Sequence, residues 1–161
     1  MITFDKGNER FNFRTAGVIL CGDKALVHKA ESNEFWALPG GRVELGESSE
    51  TAIIREMEEE IGLFFQVVRP LWVLENFFDD QEKKYHELSI IFLLQCLDEK
   101  ALLKRGNEFT GLEDSGTVLI FKWFQIQVLE HEALYPSFLR KDLCDLPESI
   151  KYLVHTDSDS G

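Results

Sequence analysis

The chain is predicted to fold as a single α/β domain, a mixed β-sheet flanked by helices. Five apolar runs of strand length recur at 11–20, 24–30, 65–75, 85–95 and 117–124. One amphipathic segment over residues 48–61 carries both start and stop signals of a helix. No internal repeat and no linker interrupts the 161 residues, a length that suits one ordinary domain.

Taken in order, FNFRTAGVIL and KALVHKA are strands joined through Cys21-Gly22-Asp23, a short Gly-containing hairpin turn. The following EFWALPGGRVELGE is a loop, because Pro39-Gly40-Gly41 forbids helix and favours unusual backbone angles. The helix is then opened by Ser48 or Ser49 as cap and closed by Gly62. Three strand-like runs follow, the last two separated by a polar connection over 97–116. A second helical segment is expected within 126–145, with Pro136 starting a new helix. The domain is expected to span 1–154, and HTDSDSG, residues 155–161, to be a disordered tail.

Seventeen Lys and Arg against 29 Asp and Glu give a net charge of -12. That balance argues against a nucleic-acid polymer as partner, which needs a basic surface, but not against a small anion bound by local arginines or metal ions. Cys21, Cys96 and Cys144 are scattered and odd in number, so neither a disulfide framework nor a zinc site is implied. With a polar start and no apolar run of about 18 residues, no membrane association is expected and the cytoplasm is the expected compartment.

The helix raises a physical problem. At ~100° per residue, Glu56, Glu59 and Glu60 share a sector of roughly 100°. Ile53, Ile54, Met57 and Ile61 form the neighbouring apolar sector, and Glu58 points away from the trio. Two carboxylates ~6 Å apart repel by roughly 3 kcal/mol at an effective dielectric of ~20. The negative end of the helix dipole adds to this. Arg55, four residues before Glu59, relieves only part of it. Acidic runs on helices are commonly just solvated faces. Here, however, the preceding glycine loop would let backbone groups approach a metal or a phosphate, and a divalent cation between the three carboxylates would reverse the repulsion. Glu47, eight residues before Arg55, can fix Arg55 and hold the loop to the helix.

Residues 41–63, GRVELGESSETAIIREMEEEIGL, closely resemble the Nudix box, G-x5-E-x7-R-E-U-x-E-E-x-G-U with U a bulky apolar residue. Gly41, Glu47, Arg55, Glu56, Met57, Glu59, Glu60, Gly62 and Leu63 fill every specified place. The resemblance implies an α/β/α sandwich around a mixed sheet. It implies Mg²⁺- or Mn²⁺-dependent hydrolysis of the pyrophosphate in a nucleoside diphosphate derivative, a nucleoside triphosphate or a nucleotide sugar. By that likeness Glu56, Glu59 and Glu60 are metal ligands, the Gly41 carbonyl is a further ligand, and Arg55 and Glu47 are an orienting pair. Glu59 or Glu60 takes the proton of the attacking water, with the choice open. Members of the family often add a distal acid, for which Glu113, Glu108 and Glu87 are candidates. The alternative is a nucleotide sensor of the same fold that does not cut; retention of all three helix carboxylates favours catalysis.

The substrate side is read from isolated residues. Arg14 shares a strand face with Ala16, Val18 and Leu20, an awkward place for a charge without an anionic partner. Arg42, Trp36, His86 and Glu87 complete the expected substrate-binding set; for Trp36 core packing is the competing role, and for His86 and Glu87 an edge strand showing polar residues to water. The expected partner is a small-molecule nucleotide, with a homodimer admitted as one state of assembly. Phe78-Asp79-Asp80, at the place where subfamilies of this kind carry markers, supports neither an ADP-ribose nor a dinucleoside polyphosphate substrate.

Overall fold

The longest apolar alternations become the central strands of one mixed sheet. In the computed structural model, which describes residues 1–158, these are β2 (Glu9–Cys21), β5 (Phe65–Asp80) and β6 (Lys83–Cys96). Around them run β1 (Thr3–Lys6), β3 (Lys24–Ala30), β4 (Gly40–Arg42), β7 (Glu108–Leu112), β8 (Val118–Gln125) and β9 (Lys151–Asp157). The strand order is β7-β8-β3-β2-β6-β5-β9, with β1 and β4 both paired to β2. Pairing of β2 with β6 and of β5 with β9 is parallel, and the rest is antiparallel.

Strand alternation gives the sheet two apolar faces and therefore two helical layers. On one face, Ile19, Leu26, Phe92 and Leu94 meet Ile53, Met57 and Ile61 of helix α1 (Ser49–Ile61) and Leu102 of α2 (Glu99–Leu103). On the other, Ala16, Val18, Leu74 and Ile91 meet Leu129, Leu134, Leu139 and Leu143, from a 3₁₀ turn at Val128–His131 and from the short α3 (Leu139–Asp142) with its flanks. Ile53 and Met57 are fully buried, each contributing ~1.5–3 kcal/mol relative to exposure. The caps of α1 fall as the sequence predicts. The Ser48 side chain accepts from the Thr51 N–H, and Gly62 closes the helix at φ 78°, its N–H donating to the Glu58 carbonyl.

Several elements differ from expectation. The β2–β3 hairpin is paired over only Leu20↔Ala25 and Cys21↔Lys24. Beyond that the two strands diverge and the 37–42 segment fills the gap, bridging His28 at Ala37 and pairing Ala16, Thr15 and Arg14 at Gly40, Gly41 and Arg42. The polar connection 97–116 contains α2 and β7. The latter is an outer strand with alternate residues exposed, so it lacks the apolar run that marks a central strand. The 126–145 stretch holds one 3₁₀ turn and a four-residue helix rather than a long helix; α3 follows Pro136, whose carbonyl accepts from the Leu139 N–H.

The expected disordered tail is corrected at its start. His155, Thr156 and Asp157 pair with Asn76, Phe77 and Phe78 in β9, and the Asp157 carboxylate accepts from the Ser137 N–H at 3.1 Å. Backbone pairing of this kind offsets the polar composition of the segment. Residues 159–161, the rest of that expectation, lie outside the described residues. No helix among the described residues is long and apolar enough to cross a membrane.

Candidate active site

Arg55 supplies much of the compensation that the acidic helix requires. Its guanidinium donates to Glu47 at 2.6 and 3.1 Å, to Glu56 at 3.0 Å, to Glu59 at 3.2 Å and to the Arg42 carbonyl at 3.3 Å. Glu47 in turn accepts from the Glu44 N–H at 2.8 Å, so one cation ties the loop after β4 to the helix. Arg55 beside it holds the Glu47 carboxyl below the usual carboxylate range.

Glu60 receives no such help. Its side chain is buried, with 6% of the residue exposed, and its Oε2 has no hydrogen-bond partner. Burial first, then the charges of Glu56 and Glu113, push its carboxyl well above the ordinary range, while Arg14 opposes the shift. Burial also raises Glu56, against the pull of Arg55. Facing Glu60 is His28, whose Nδ1 lies 3.7 Å from Glu60 Oε2 and also lacks a partner. Burial, helped by the charge of Arg14, lowers the His28 pKa to about 3, so the ring is neutral.

The glycines set the close approaches. A Cβ on Gly41 would stand 2.3 Å from Glu56 Cδ, so the β4 backbone lies directly against that carboxylate. At Gly111 a Cβ would stand 2.4 Å from the Glu60 carbonyl. Only glycine there lets β7 lie on the end of α1, which brings Glu113, just past β7, into electrostatic reach of Glu60.

Among the described residues, no three His, Cys, Asp or Glu side chains form a ready-made metal cluster. Glu56 and Glu59 both accept from Arg55. The residues nevertheless fit a divalent cation of oxygen preference. A buried carboxylate oxygen stands without a partner, Gly41 leaves room for a carbonyl beside Glu56, and every donor on the helix face is an oxygen.

On the other face of the sheet lies a cleft of about 570 Å³. Its lining includes Arg14 and Arg42, partners across β2 and β4, but none of the three helix carboxylates. Arg14 links the two sites, because its charge acts on both Glu60 and His28. Arg14 makes no salt bridge among the described residues. Trp36 lines the cleft and also packs edge-on against Phe124 in the core. Glu87 lines the cleft; His86 does not. Strand alternation turns His86 to the opposite face, where it stacks on Phe77 at 4.4 Å, which corrects its place in the substrate set. Glu108 is exposed and is the register partner of Lys122 across β7 and β8.

Three residues of these sites were missed in the sequence: His28, Asn12 and Asn76, all buried. His28 follows Leu26 and Asn76 follows Trp72 and Leu74 on otherwise apolar alternate-residue faces, whereas Asn12 sits beside Arg14 on a face that is polar at that end. For His28 and Asn76 that interruption is a legible signal.

The raised carboxyl of Glu60 sets a stability expectation. An acid whose folded pKa exceeds its unfolded value costs nothing at low pH. Its cost grows as pH rises past the unfolded carboxylate value of about 4.5 toward the folded one. Glu60→Gln is therefore expected to raise Tm of the metal-free protein at pH 8 by several degrees, at roughly 2–4 °C per kcal/mol. The gain should shrink toward zero near pH 4. Thermal scans in chelator across this range check it; a variant less stable at pH 8 contradicts it.

A family model described as a NUDIX domain matches residues 12–141. The chain is 32% identical over 129 residues to an ADP-ribose pyrophosphatase of Methanocaldococcus jannaschii, covering 77% of this chain and 70% of that protein. It is 36% identical over 124 residues to an RNA pyrophosphohydrolase of Ruthia magnifica subsp. Calyptogena magnifica, covering 69% of each. Among solved structures, an ADP-ribose pyrophosphatase from Streptococcus suis matches with a TM-score of 0.59 at 20% identity, over 88% of this chain and 98% of that one. A MutT protein from Bacillus halodurans matches with a TM-score of 0.59 at 14% identity, over 92% and 91%. At these identities the structural matches speak to the fold alone.

Proposed function

The chain belongs to the Nudix family, whose members named above hydrolyse pyrophosphate bonds, and from that premise we propose that it cleaves a nucleoside diphosphate derivative with a divalent cation, Mg²⁺ or Mn²⁺. The observation that carries this is the buried, unpartnered oxygen of Glu60 beside Glu56 and Gly41, one arginine away from a cleft of nucleotide size.

Glu56, Glu59 and Glu60, with the Gly41 carbonyl, would hold the cation. Bound there, it would neutralise phosphate oxygens and lower the pKa of a coordinated water. The chain's own residues do the rest. Arg55, braced by Glu47, orients Glu56 and Glu59 through direct hydrogen bonds. Glu59 or Glu60 accepts the proton of the attacking water, and Glu113 is the distal acid whose charge reaches Glu60. Arg14 and Arg42, at the near end of the cleft, hold the phosphates while the nucleoside enters it. The substrate names of the relatives include ADP-ribose, RNA and diphosphoinositol polyphosphate. A net charge of -12 favours the small molecule over the polymer. Three free cysteines suit a reducing compartment, the cytoplasm.

A panel of nucleoside triphosphates, nucleotide sugars and ADP-ribose incubated with Mg²⁺ tests the proposal. Release of a mononucleotide with the complementary phosphorylated half is expected from at least one of them. Binding without turnover under Mg²⁺ or Mn²⁺ would identify a sensor instead.

A further inference from the structure

The cleft floor carries a row of polar side chains, two buried and one half-buried, that the hydrolytic chemistry does not use. Asn12, Glu87 and Asn76 are register partners on adjacent strands β2, β6 and β5, so they stand side by side on one face. All three line the cleft. Asn12 donates its Nδ2 to Glu87 Oε2 at 3.0 Å, and its own Oδ1 accepts from Thr3 at 2.6 Å, which fixes both its orientation and that of the carboxylate. Asn76 is 4% exposed, and its Oδ1 has no partner. A buried amide oxygen left unmatched is destabilising, so this position favours a ligand that brings a donor.

One step along the strands toward the catalytic end, Arg14 pairs with Ser89 across β2 and β6. Two residues of strand span about 7 Å. A nucleotide whose phosphates meet Arg14 thus extends its nucleoside over the polar row. Aromatic surface is at hand: Phe78 and Tyr85 line the cleft, stacked on each other at 4.8 Å, and Phe35 with Tyr135 lines its other wall.

The row offers mainly acceptors: the Glu87 carboxylate and the Asn76 carbonyl. Resting on the hydrolase reading above, we propose that Glu87 and Asn76 select guanine as the base of the substrate. Guanine presents three N–H donors on one edge, at N1 and N2. A carboxylate accepts N1–H and one N2–H together, and the Asn76 carbonyl accepts the second N2–H. Adenine and cytosine would turn a ring-nitrogen acceptor toward the carboxylate, and uracil flanks its one N–H with two carbonyls. Hypoxanthine keeps N1–H but lacks the N2 amino group. A site built around acceptors within a cleft discriminates against a ligand that leaves them unpaired.

The test is kcat/KM for GTP, ITP, ATP, CTP and UTP, with Mg²⁺, in the wild type and in Glu87→Gln. GTP is expected to exceed ITP by at least tenfold and the other three by more. Glu87→Gln, which preserves shape, is expected to reduce the preference for GTP over the other four at least tenfold, through KM for GTP. Equal rates for all five in the wild type would overturn base selection while leaving the hydrolase reading intact, as recognition of the ribose hydroxyls alone would produce. A GTP preference that Glu87→Gln leaves unchanged would also overturn it. Turnover of none of the five, nor of the nucleotide sugars and ADP-ribose, would overturn the hydrolase reading and this inference with it.

Discussion

Glu59→Gln is expected to lower kcat by about 10²–10⁴-fold, the range spanned by loss of a positioned proton acceptor, while the protein stays folded. Glu59 is the more exposed of the two carboxylates that Arg55 contacts on the helix, with 37% of its side chain accessible against 15% for Glu56. Its only described hydrogen bond is the 3.2 Å contact from Arg55, and Arg55 keeps Glu47 and Glu56 when it is gone. Little stability depends on it, since an ion pair this exposed contributes ~0–1 kcal/mol. Steady-state kinetics on the best substrate of the panel, with Tm measured beside it, checks both halves. Equal kcat in wild type and variant would remove Glu59 from the chemistry.

A comparable loss is expected from Gly41→Ala, for a steric reason. The new Cβ would stand 2.3 Å from Glu56 Cδ and 2.5 Å from both of its carboxylate oxygens. That atom belongs to the end of a flexible side chain, so Glu56 swings aside and the fold survives. The carboxylate, however, leaves its seat. Misplacement by ~1 Å of a group holding the reacting centre costs about 10²-fold. Gly40→Ala is the control of opposite kind, because its Cβ would stand 2.1 Å from the backbone oxygen of Thr15, which cannot step aside. That variant is expected to lose stability first. Circular dichroism, Tm and kcat on both variants separate the two outcomes. Full activity in a well-folded Gly41→Ala would mean that Glu56 need not sit where it does.

The contrast between these neighbours shows what a sequence displays and what it hides. The acidic helix was legible down to its caps, because Ser48, Gly62 and the 3.6-residue spacing of Ile53, Met57 and Ile61 are local signals. The pairing of Glu47 with Arg55 was legible from spacing within one segment. The cleft was not. Its floor joins Asn12, Glu87 and Asn76 from three strands, a neighbourhood set by sheet order rather than by any window of sequence. Glu113 and Glu108 looked alike within a polar connection. Only the β7 strand, seated through Gly111, distinguishes them by bringing one toward Glu60. His86 and Glu87 were read together, and the two-residue period of a strand divides them. The His155–Asp157 stretch looked like a tail because its polar residues gain their partners from β5 and Ser137, distant in sequence.

The most direct test is anomalous diffraction from crystals grown with Mn²⁺ and a non-hydrolysable nucleotide analogue. Manganese peaks are expected on the α1 carboxylates Glu56, Glu59 and Glu60, with the analogue's phosphates on the side of Arg14. Clear density for the analogue elsewhere on the protein, with no manganese on that helix face, would contradict the assignment of this site.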